Sequence, residues 1–141
     1  MTRVGLTVLD AGVLVAVLDA TDTHHAGAVH ALREALGRGD RLVLPASAYA
    51  EMLMAPHRRG GEAVDTAGAF VEALPAAVEP ISRGIAARAA DLNARHGARL
   101  RLPDALVAAT ADVLKATLVV TTDAGSPGLP VPVALFSSER R

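Results

Sequence analysis

The sequence predicts an α/β fold, a central and mostly parallel sheet sandwiched between helices in three layers. Short apolar, β-branched runs alternate with stretches of helical periodicity along the chain. Two of those runs, VGLTVLD (4–10) and ATLVVTTD (116–123), stop abruptly at an aspartate. Such runs suit strands buried on both faces, which only a helix-covered parallel sheet provides.

The elements follow in order. After the first strand, AGVLVAVL (11–18) continues as a helix. DATDTHHAGAVHALREALGRGD (19–40) offers caps at Asp22 and Thr23, then Ala28, Val29, Leu32 and Leu36 at helical spacing. Gly37-Arg38-Gly39 is its stop signal. RLVLP (41–45) is a second strand ended by Pro45, and SAYAEMLMA returns to helix until Pro56. HRRGGE reads as a polar loop, 62–74 as a helix halted by Pro75, and AVEPIS as a short edge strand. Ser82 caps RGIAARAADLNARHG, in which Ile85, Ala89 and Leu92 share a face and Gly97 ends the helix. LRLPDALVAATADVL (100–114) is the last helix, and VPVALF a final strand after 116–123. Helical crossovers between parallel strands leave ligand sites at the strands' carboxyl ends.

Composition narrows the function. The 141 residues, 51% hydrophobic and 21% charged with net charge -1, fit one globular domain spanning 1–141. Tyr49, Phe70 and Phe136 are too few to build a base-stacking platform, so any nucleic-acid contact runs through phosphates. The lack of cysteine excludes thiolate metal sites and cysteine nucleophiles and fits a cytoplasmic protein. The apolar run 11–18 is far too short to span a membrane, and no signal-peptide pattern is visible. All but one of the 14 basic residues are arginine, the exception being Lys115, which favours bidentate contacts to carboxylate or phosphate. No nucleophile elbow, phosphate-binding loop or dinucleotide fingerprint is present.

What remains is acidic. Asp10 and Asp123 stand at strand ends, Asp104 follows Pro103 at a helix start, and Glu51 interrupts an apolar helix. Singly, each has an ordinary role: Asp104 and Asp10 as helix caps, Asp123 as a turn residue, Glu51 as a solvent-facing charge. Together they lie at, or one helical turn from, the rim of the sheet. Neighbouring carboxylates repel by roughly 1–4 kcal/mol per pair, depending on the local dielectric, so a cation is needed to keep them ionised. Oxygen ligands without cysteine or histidine partners select Mg²⁺ or Mn²⁺, and the chemistry they imply is phosphodiester hydrolysis. Arg99 and Arg101, just before Asp104, are placed to hold phosphates near the acids, with Arg58, Arg59 and Arg95 as further groove candidates. His24, His25 and His30 at an exposed helix start, His57 in a loop and His96 at a helix end suit structural roles, His25 as a brace. Tyr49, Met52, Leu53 and Met54 form a stripe read either as core or as a partner surface.

The segments VLDAGVLVAVLD, PASAYAEML, RLPDALVAATA and LVVTTD resemble, in order and spacing, the four acidic motifs of PIN-domain nucleases. With the segment carrying Asp22, His25 and Ala28, the chain is most similar to the VapC-type toxins of toxin–antitoxin pairs. The resemblance implies a PIN-like sandwich and an Mg²⁺- or Mn²⁺-dependent endoribonuclease with Asp10, Glu51, Asp104 and Asp123 as its acidic pocket. It further implies a tRNA or rRNA substrate, a homodimer and a neutralising antitoxin. Many members carry Ser or Thr where this chain has Gly12; Thr121 or Thr122 could supply that hydroxyl. The alternative is a non-catalytic PIN-like or receiver-like binding module. A receiver needs a lysine at a strand end, whereas Lys115 falls at a helix end.

Overall fold

The computed structural model describes residues 5–122 and 133–135. Strand β1 (Leu6–Leu9) leads into α1 (Ala11–Leu18) and α2 (His25–Gly37). Then β2 (Arg41–Pro45) is followed by α3 (Ala46–Arg59), α4 (Gly61–Ala73) and β3 (Ala76–Glu79). Helix α5 (Arg83–His96), a 3-10 turn (Gly97–Arg99) and α6 (Leu102–Val113) precede β4 (Leu118–Thr121) and β5 (Val133–Leu135). The strands form one sheet in the order β3-β2-β1-β4-β5, and every pairing is parallel.

That order places the site. From β1 the chain builds outward through β2 to β3, then crosses back to lay β4 on the other side of β1. Connections therefore leave β1 and β4 in opposite directions, and the carboxyl ends of these two neighbours flank the crevice where open α/β sheets bind ligands. The register pairs Leu9 with Val120, and the Asp10 amide donates to the Val120 carbonyl at 3.1 Å.

The central strands are apolar because both faces are covered. Val8, Leu9, Leu42, Val43, Leu44, Val119 and Val120 are all buried, each large side chain contributing about 1.5–3 kcal/mol of transfer free energy. They share a core with α1, α2, α3 and α4, joined by Val107 and Ala111 of α6. Ile85, Ala89 and Leu92 of α5 form a second cluster with Leu100, Ala105, Ala108 and Ala109. Alanine predominates on the facing side of α6 and keeps these helices close. Arg88 on α5 donates through Nε to Asp112 on α6 at 2.6 Å and also pairs with Asp91. At the opposite end of β1, the buried Thr7 hydroxyl donates to Asp40 at 2.9 Å.

Several local expectations are corrected. Helix α3 does not stop at Pro56 but runs through it to Arg59, so HRRGGE shrinks as a loop to Gly60, which has φ 121°. A mid-helix proline costs about 3 kcal/mol; Pro56 is buried, and packing on its ring offsets that cost. Asp22 and Thr23 do not cap α2, whose flanking residue is His24; the Asp22 carboxylate instead accepts from the His24 amide at 2.8 Å. Ser82 caps α5, accepting from the Ile85 amide at 3.1 Å, and Gly97 ends it with φ 60°. No helix among the described residues is long and apolar enough to cross a membrane.

Candidate active site at the switch point

Asp10 is the first residue beyond β1 and the N-cap of α1. Its Oδ1 accepts from the Ala11 amide at 2.7 Å, and its Oδ2 accepts from the Thr121 hydroxyl at 2.8 Å. Thr121 ends β4 and is buried, so this bond ties the two central strands together at the crevice. The carboxylate caps its helix and is held in one orientation by donors on two elements.

Asp104 is not the cap of its helix. Helix α6 begins at Leu102 with Arg101 flanking it and no side-chain cap, which leaves Asp104 in the first turn. Proline tolerates the start of a helix because the amide it lacks has no intrahelical acceptor there. Pro103 thus lets the helix begin at Leu102, two residues before the acid. Asp104, half-buried there, still feels the favourable field of the amino terminus. Asp10, Asp104 and Thr121, with Leu100 and Val107, line a cleft of about 10 Å³, room for roughly one water-sized occupant.

Glu51 approaches from α3. Much of the residue is exposed, yet its carboxyl is pushed above the ordinary glutamate range. Partial burial is the largest cause, followed by the charges of Asp10 and Asp104, with Arg101 opposing them. Three acids from β1, α3 and α6, distant in sequence, therefore share one electrostatic field. Among the described residues no three His, Cys, Asp or Glu side chains already stand close enough to hold a metal ion. Asp123 lies outside the described residues.

The hydroxyl and basic candidates sort clearly. Thr121 is committed to Asp10, whereas the Thr122 Oγ1 fills the space a β-carbon on Gly12 would need. Glycine at 12 and threonine at 122 are thus steric complements. Arg101 is exposed beside the acids, and Arg99 is exposed in the 3-10 turn before them. Arg95 is engaged, donating to Asp91 at 3.0 Å. His24 and His25 are half-buried rather than exposed, because α2 docks on α1; the His25 Nδ1 lies 2.7 Å from the Ala16 carbonyl, bracing the two helices. The aromatic–methionine stripe splits: Met52 is buried, Tyr49 and Leu53 are half-buried against the core, and Met54 is 55% exposed.

Sequence reasoning missed one feature. A groove of about 720 Å³ opens between α1, α3 and α4, floored by Val15, Leu18, Met52 and Pro56 and edged by Asp19, Arg59 and Glu62. Its signal was the apolar excess of α1, which carries Val15 and Leu18 beyond what the core absorbs.

No curated protein matches this chain significantly. Solved structures do. The Mycobacterium tuberculosis VapC20, titled a sarcin-ricin loop cleaving toxin, is 19% identical with a TM-score of 0.65, over 80% of this chain and 86% of that one. FitAcB from Neisseria gonorrhoeae is 21% identical with a TM-score of 0.66, over 90% and 95%. VapBC2 from Rickettsia felis, bound to a DNA fragment from its promoter, is 12% identical with a TM-score of 0.69, over 92% and 98%. At these identities the likeness is one of fold. The family model described as the PIN domain matches residues 7–126, which spans both central strands and the acids between and beyond them, and the chain belongs to the PIN domain family.

Proposed function

We propose that the chain is a VapC-type toxin, a divalent-metal-dependent endoribonuclease that hydrolyses phosphodiester bonds in a structured RNA such as tRNA or rRNA. The observation that carries this reading is the convergence of Asp10 and Asp104 on one cleft at the switch point, with Glu51 near enough to feel both charges. Acids that disfavour one another's ionisation call for a cation. The residues fit one in kind: hard carboxylate oxygens, with no cysteine anywhere in the chain, suit Mg²⁺ or Mn²⁺. Asp10, Glu51 and Asp104, with Asp123 as the fourth ligand, are the residues that would hold it. When bound, such an ion supplies an activated water nucleophile and offsets charge on the leaving oxygen.

The chain's own groups do the rest. Thr121 and the Ala11 amide fix the Asp10 carboxylate, so its orientation is set before substrate arrives. Arg101 stands beside Glu51 and draws a phosphate toward the acids, with Arg99 extending the basic approach. A cytoplasmic homodimer restrained by a cognate antitoxin completes the reading; for the antitoxin, the support is solved neighbours that include a toxin–antitoxin complex from Klebsiella pneumoniae.

Purified chain incubated with total RNA and Mn²⁺, beside an Asp104→Asn variant and an EDTA control, tests it. Discrete cleavage abolished by both controls is expected. Intact RNA across several pools would instead favour a binding module that does not cut.

A further inference from the structure

Ser47 is the second residue of α3, directly beyond the carboxyl end of β2. Its Oγ is shielded from solvent and has no hydrogen-bond partner among the described residues, a condition shared only with Nδ1 of His24. A helical serine ordinarily returns its hydroxyl to a carbonyl one turn back. Here the residues one turn back, Val43 and Leu44, belong to β2, which is paired on both sides. That outlet is closed by the fold. An unmade buried hydrogen bond is costly and calls for a reason.

Glu51 lies four residues on. Positions i and i+4 share a helix face, so Glu51 and Ser47 are neighbouring positions on one side of α3. We infer that Ser47 is a positioning residue for Glu51, its hydroxyl donating to the Glu51 carboxylate when a divalent cation enters among Asp10, Glu51 and Asp104. The inference rests on the metal-dependent reading above and deepens it. With a cation bound, the free donor would select the carboxylate orientation that faces the ion. Ser47 thus plays for Glu51 the part that Thr121 plays for Asp10, one hydroxyl per acid, each from a neighbouring position at the strand ends.

The test is Mn²⁺ titration of the full chain followed by the electron paramagnetic resonance of free Mn²⁺, with metal-free thermal melts alongside. Ser47→Ala is expected to weaken Mn²⁺ binding about tenfold, the usual scale for losing a group that orients a ligand, and Ser47→Thr to recover it to within about threefold. The metal-free Ser47→Ala chain is expected to melt no lower than the parent, because the hydroxyl it loses has no partner. Unchanged Mn²⁺ affinity in Ser47→Ala overturns the inference, as does a melting temperature several degrees lower, which would make the hydroxyl structural. Asp104→Asn run in parallel separates the two levels. Uptake lost in Asp104→Asn but intact in Ser47→Ala overturns the role of Ser47 alone, whereas a parent chain that takes up no Mn²⁺ overturns the metal-dependent reading and this inference with it.

Discussion

Thr121 is the residue whose removal isolates orientation from charge. Thr121→Val keeps the shape of a buried β-branched side chain and deletes the donor to Asp10. RNA cleavage is expected to fall about 10–100-fold while the charge of every acid is kept; single-turnover kinetics checks it. Gly12 is a second point of leverage. Gly12→Ser drives a β-carbon into the Thr122 hydroxyl and is expected to cost about 1–3 kcal/mol in denaturant melts. Glu51 gives a pH signature. Its folded-state pKa is raised above the unfolded one, so the stability linked to it is fully present below the ordinary glutamate value of 4.5 and is lost as pH rises through the folded value. Glu51→Gln is therefore expected to raise the melting temperature at pH 7, by about 1–2 °C, with the gain gone below pH 4.5. The acids stand out in the sequence because a charge in an apolar run is conspicuous. The hydroxyl partners were not fully legible there: Thr121 and Thr122 look alike in LVVTTD, and only the alternation of side chains at the end of β4 assigns one to Asp10 and the other to Gly12.

Helix boundaries were readable where a local group terminates the backbone and misread where tertiary packing decides. Ser82 and Gly97 bracket α5 as their chemistry requires, and Ser82→Ala is expected to cost about 1 kcal/mol in chemical denaturation through loss of the bond to the Ile85 amide. At Pro56 the same style of reasoning failed, because burial of the ring outweighs its local cost and Gly60 supplies the actual stop. The reading of Asp104 as the cap of α6 gave way for a related reason. Proline is compatible with a first turn, so Leu102, Pro103 and Asp104 are all helical, and the acid is carried toward the crevice by the helix rather than placed at its cap. The stripe Tyr49, Met52, Leu53 and Met54 had two sequence readings, and the structure divides it, since consecutive residues of a helix cannot all face one way.

On the scale of the whole molecule, alternation of strand and helix was enough to read a parallel sheet, because only helix-covered strands are so uniformly apolar. The order β3-β2-β1-β4-β5 was not legible, since which strand neighbours which is settled by long-range packing. Yet that order makes the site: β1 and β4, far apart in sequence, deliver Asp10 and Thr121 to one crevice, and α3 and α6 bring Glu51 and Asp104 against it. Asp123, read from the sequence as the fourth acid, lies outside the described residues. The groove between α1, α3 and α4 is separate from this crevice and much larger, and only the packing of three helices creates it.

The central claim is that acids from three separate elements act as one unit, and rates of RNA cleavage by Asp10→Asn, Glu51→Gln and Asp104→Asn test it most directly. Each variant is expected to lose more than about 100-fold while remaining folded, beyond what the loss of an orienting group costs. Because groups that act as a unit are strongly non-additive, Glu51→Gln combined with Asp104→Asn is expected to be little worse than either alone. A folded single variant that cleaves within about threefold of the parent, or losses that multiply across the pair, would contradict a shared site.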